Sequence, residues 1–69
     1  MTRIYRVPGI SCDHCKHAIE GEVSKVAGVA QVDVDIEHRT VTVNGDADER
    51  AVRAAIDEAG YDVAAVNTA

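Results

Sequence analysis

A chain of 69 residues with seven Lys or Arg against twelve Asp or Glu, net charge -5, has room for one small domain and lacks the basic surplus that nucleic-acid binding requires. Its apolar share is 46%, yet Leu, Phe and Trp are absent, so Val, Ile and Ala must build the core and large buried pockets are not expected. No apolar run is long enough for a secretory signal or a bilayer span, which predicts a protein of the reducing cytosol with no direct membrane insertion.

In chain order, Arg3 to Val7 reads as a short strand closed by the Pro8-Gly9 turn. From Cys15 the apolar residues Ala18, Ile19, Val23 and Val26 recur at helical spacing, with Ser11 or Cys12 as the expected N-cap and Gly28 as the expected C-terminal glycine. Gly21 inside this helix costs about 1 kcal/mol relative to Ala, so packing must hold it together. Val32, Val34 and Ile36 alternate with polar residues, and Val41 and Val43 resume the alternation after Glu37-His38-Arg39, predicting a hairpin. Asp46 and Glu49 have the spacing of a capping box for a second helix, whose apolar face is Ala51, Val52, Ala55, Ile56 and Ala59 and which stops at Gly60. Tyr61 to Val66 is expected as a last strand before a polar tail. The order strand, helix, strand, strand, helix, strand predicts an α+β, ferredoxin-like sandwich, βαββαβ, in which two helices cover one face of a four-stranded antiparallel sheet. Residues 1–69 are expected to form one domain, and the start at Met1 with its short tail predicts a complete small protein.

Cys12-Asp13-His14-Cys15 falls where the first turn meets the first helix. Cysteine binds metal as thiolate, and a helix N-terminus favours negative charge through its free N–H groups, most of all at Cys15 in the first turn. Structural zinc needs four protein ligands and the chain has one cysteine pair, although His14 or His17 could join it and Asp13 is at hand. Two soft thiolates without hard ligands suit Cu(I), and an unfilled coordination shell lets a second protein's thiolates take the metal away. Other readings of the same pair are a structural disulfide, an incidental pair, and a small disulfide oxidoreductase. The last is disfavoured by the short chain and by the lack of any proline after Pro8. His14 is a candidate accessory ligand, whereas His17 and His38 read as surface residues. The acidic residues read as a solvated surface, and Lys16 is a candidate for steering a partner.

The stretch Gly9-Ile10-Ser11-Cys12-Asp13-His14-Cys15 resembles the Gly-Met-x-Cys-x-x-Cys motif of the heavy-metal-associated domain family, and Ala59-Gly60-Tyr61-Asp62-Val63 is similar to a later stretch typical of it. The resemblance covers nearly the whole chain. A free-standing domain of this kind is similar to bacterial copper chaperones. It implies the ferredoxin-like fold, Cu(I) held by Cys12 and Cys15, and transfer to a copper-transporting P-type ATPase or its metal-binding domain. The expected protein is a carrier and no enzyme, monomeric without metal; the alternative is a metal-responsive or storage role, a copper buffer acting as a copper-bridged dimer. Tyr61 corresponds to a tyrosine in the loop beside the metal. Ile10 departs from the family's methionine, which packs inward beneath the loop, and Ser11 stands where zinc-transporting relatives often carry an acid.

Overall fold

The computed structural model describes residues 2–68. Six elements follow the expected order: β1 (Thr2–Arg6), α1 (Asp13–Val23), β2 (Val29–Asp35), β3 (Thr40–Gly45), α2 (Glu49–Glu58) and β4 (Ala65–Thr68). The strands form one antiparallel sheet in the order β2-β3-β1-β4. Period-two alternation puts Tyr5, Val41 and Val43 on the face under the helices, where Val34 joins them. Ile19 and Val23 from α1, and Val52, Ala55 and Ile56 from α2, close over them to make a single core. In the absence of Leu and Phe, Tyr5 is its largest fully buried side chain.

The boundaries depart from the sequence expectation in four places, each with a local cause. α1 ends at Val23 and does not reach Val26, because Ser24 Oγ donates to the Gly21 carbonyl and the chain continues in three-residue turns, Val26 N–H to the Val23 carbonyl and Val29 N–H to that of Val26. Three-residue spacing there imitates a helix. Gly28 is therefore not the helix's terminal glycine but a loop residue beyond it. β2 begins at Val29, three residues ahead of the alternating run, because a register shift between Val29 and Gln31 inserts Ala30 as a bulge. The extra residue lets Val29 and Val32 both pack toward the core, although strict alternation would put them on opposite faces.

The N-cap of α2 is Asp48, whose side chain accepts from Arg50 N–H at 2.9 Å, so the Asp46-Glu49 capping box does not form. Tyr61 to Ala64 is loop, and the last strand lies two residues beyond Val63, taking in Asn67 and Thr68 that were expected as tail; Ala69 lies outside the described residues. At Gly60 the expectation holds. Gly60 N–H bonds to the Asp57 carbonyl, Tyr61 N–H reaches back to Ile56, and Gly60 takes the left-handed φ of 95° that such a helix end demands.

Strand direction gathers the chemistry at one end of the sheet. Arg6 pairs with Thr40 and Ala65, so the loop after β1, the β2–β3 turn and the segment before β4 all emerge at the same pole. Val7 N–H bonds to the Arg39 carbonyl at 2.9 Å and Ala64 N–H to the Arg6 carbonyl at 2.8 Å, tying the three together.

Candidate metal centre

The loop from Pro8 to Cys12 is anchored at both ends of its short course. Ile10 N–H closes a turn onto the Val7 carbonyl, and the Ile10 side chain is fully buried in the core beneath it. An isoleucine thus fills the inward apolar position. Cys12 is the N-cap of α1 in an extended conformation (φ -158°), and its carbonyl accepts the first helical hydrogen bond, from Lys16 N–H. Its side chain caps no backbone N–H, so the sulfur stays available.

One helical turn on, Cys15 returns to the same point in space. Cys12 Sγ and Cys15 Sγ are 3.6 Å apart, both thiols are free, Cys12 is exposed, and Cys15 is only 7% exposed. The environment of Cys15 favours its thiolate. The Tyr61 hydroxyl is the strongest influence, followed by the backbone N–H of Ser11; burial opposes them, and the Cys12 thiol and N–H assist. Together they bring the Cys15 thiol from an ordinary 9.0 down to about 6. The Tyr61 hydroxyl moves reciprocally upward, since losing its proton would break the hydrogen bond to Cys15 and set two anions side by side. Tyr61 follows the helix end described above and lies against Gly9: a Cβ added at Gly9 would lie 3.3 Å from Tyr61 Cδ1, so glycine lets the ring sit a few tenths of an ångström closer to the loop.

The other candidate residues are not drawn in. His14 is exposed on the first turn of α1, and no group of three His, Cys, Asp or Glu side chains suited to a metal gathers among the described residues. His17 is exposed and lies 3.9 Å from Glu20. His38 is bonded to Asp35 at 2.8 Å in the hairpin turn, which raises the histidine's pKa and lowers the aspartate's. Lys16 is half-buried at the edge of the site. What sequence reasoning missed is the support: the Ser11 N–H and the Arg39 carbonyl act through their backbones, and Arg39 closes the hairpin turn at a φ of 57° with no glycine to announce it.

The sequence profile of the heavy-metal-associated domain matches residues 4–62, from β1 through the tyrosine that leans on Cys15. The chain belongs to the heavy-metal-associated domain family. Among its relatives in this family is the copper chaperone CopZ of Staphylococcus saprophyticus, 42% identical over 65 residues that make up 90% of this chain and 96% of the relative. A solved CopZ metallochaperone superposes with a TM-score of 0.87 at 36% identity, covering 91% of this chain and 98% of that one. The fold alone is shared with a copper binding domain from HMA7, a P-type ATPase, at a TM-score of 0.84 and 23% identity, covering 99% and 100% of the two chains. The ferredoxin-like sandwich expected from periodicity is thus the architecture of the heavy-metal-associated domain.

Proposed function

We propose that this chain is a cytosolic copper chaperone, a carrier and not an enzyme, which holds Cu(I) between Cys12 and Cys15 and passes it by ligand exchange to a partner such as a copper-exporting P-type ATPase. The observation that carries the proposal is the pair of free sulfurs 3.6 Å apart at the start of a helix, with the Tyr61 hydroxyl and the Ser11 N–H favouring the Cys15 thiolate. Thiolate is the form that ligates soft metal, so surroundings that favour it lower the cost of losing a proton on binding. The absence of a third or fourth candidate ligand among the described residues favours Cu(I) over Zn(II), which calls for a fuller shell. The relatives named copper chaperones support the same reading.

Exchange follows from the asymmetry of the pair. Exposed Cys12 leaves its side of the metal open to an incoming thiolate, while Cys15 keeps hold beneath Tyr61. The partner's sulfur donates a lone pair to the metal as the Cys12 sulfur withdraws its own, and a second exchange frees Cys15. No free ion appears and no electron is transferred. A partner of the same fold, as found in the P-type ATPase domain, would present a surface of similar shape.

Anaerobic Cu(I) titration against a competing chelator tests this reading. One equivalent of copper should bind tightly, and Cys12→Ser or Cys15→Ser should each abolish competition; weak binding that neither change affects would overturn the proposal.

A further inference from the structure

Among the described residues, Arg39 is the one non-glycine residue with a left-handed backbone, at a φ of 57°. Its side chain gives no reason for that conformation, being exposed and in no ion pair or hydrogen bond among the described residues. A left-handed residue with a side chain is costly, persists only where its surroundings fix it, and recurs at functional sites. Here the surroundings are the Asp35 carboxylate and the ladder. The carboxylate clasps the turn, accepting from His38 N–H at 3.1 Å and lying 2.8 Å from His38 Nδ1. Beyond Arg39, Thr40 is paired with Asp35 across the hairpin and with Arg6 of β1.

The Arg39 carbonyl accepts from Val7 N–H at 2.9 Å, and the Val7 carbonyl in turn accepts from Ile10 N–H at 3.2 Å. Val7 and Ile10 are fully buried, and the next residue is Ser11, whose N–H bears on Cys15. We propose that Arg39 is a positioning residue for the metal loop: kept left-handed by the Asp35 clasp, its carbonyl pins Val7 and, through Val7 and Ile10, the course of the chain into Cys12. The inference deepens the chaperone reading and rests on it only for the cargo. Two thiolates hold one ion only while both stay aimed at one point, and a loop ordered before the metal arrives has less freedom to lose when it binds. The turn supplies no ligand; it fixes the backbone from which a ligand projects.

The test compares the reduced, metal-free chain with Arg39→Gly and Arg39→Val. Glycine takes a φ of 57° freely, whereas a β-branched side chain is an outlier there. By hydrogen–deuterium exchange, the Val7 and Ile10 amides should open roughly five- to thirtyfold more readily in Arg39→Val and stay within about twofold of wild type in Arg39→Gly. The amides of Val52 and Ile56, in the middle of α2, report opening of the whole fold and should respond less than those of Val7 and Ile10. Asp35→Ala removes the clasp and should act on the same two amides in the same direction. In the Cu(I)-loaded chain, release to a competing chelator should be faster for Arg39→Val and unchanged for Arg39→Gly. Acceleration confined to Val7, equal acceleration at Val52 and Ile56, or the same exchange in both Arg39 variants would overturn the inference. If Arg39→Val does not fold, wild-type exchange at Val7 and Ile10 in Asp35→Ala would overturn it instead. The exchange is read without metal, so a failure to bind Cu(I) sinks the chaperone reading and leaves this one to its own assay.

Discussion

At the scale of single residues, the centre depends on a division of labour between Cys15 and Tyr61. Tyr61→Phe removes the largest influence holding the Cys15 pKa near 6, and should move the midpoint of its alkylation by iodoacetamide upward, with slower reaction at neutral pH. Gly9→Ala should shift that midpoint in the same direction by less, since the new methyl only presses the ring away by a few tenths of an ångström. The same ionisation sets a pH dependence of stability. A thiol at about 6 when folded and near 9 when unfolded means that the unfolded chain binds more protons between those values, so stability rises with pH across that window and is lost as pH falls through 6. The Asp35–His38 pair acts partly against it. His38 has a raised pKa, so its contribution is present in acid and disappears as pH climbs through its folded value. Comparing the thermal midpoint of the reduced, metal-free chain with that of Cys15→Ser from pH 6 to 9 isolates the cysteine, and a slope unchanged by the substitution would contradict this account.

At the scale of elements, helix ends decide where the site residues stand. Asp48→Ala should cost about 1 kcal/mol in chemical denaturation, the usual worth of an N-cap, whereas Asp46→Ala, which leaves the cap untouched, should cost clearly less. That contrast also marks what the sequence could and could not say. α2 was legible because its apolar stripe and Gly60 both agree with a real helix end, yet the capping-box spacing of Asp46 with Glu49 points to an acid two residues ahead of the real cap, Asp48. The cysteine motif was legible because its residue types, its place before a helix and its pairing all pointed to the same chemistry. The end of α1 was not, since turns of three residues preserve the spacing that a helix would show. The bulge at Ala30 was hidden for a related reason: alternation reports parity only while no residue is inserted. β4 was misplaced because Tyr61-Asp62-Val63 alternates as a strand would, but Tyr61 and Val63 pack on the core from a loop, and pairing with β1 begins only when the chain runs alongside Arg6.

For the molecule as a whole, the pole opposite the cysteines is built for rigidity. Gly45, at a φ of 130°, lets its backbone pass the Gly28 carbonyl so closely that an added Cβ would come within 2.1 Å of that oxygen, and Asp46 N–H bonds to the same carbonyl. Gly45→Ala should therefore unfold the chain or lower its denaturation midpoint far more than Gly21→Ala, where nothing lies within 4 Å of an added Cβ and helix propensity should make the change neutral or stabilising. Ile56→Ala, in the shared core, should cost between about 2 and 5 kcal/mol, a large share of what a domain this small can have. Between the poles runs α2, whose final turn delivers Tyr61 to a thiol near the other end of the sequence. Ionisation of that thiol and fraying of that turn are therefore thermodynamically linked. Once Cys15 carries its charge, opening the turn forfeits a stronger hydrogen bond, so the Tyr61 amide should exchange with solvent deuterium more slowly above pH 6, after correction for intrinsic base catalysis, than below it.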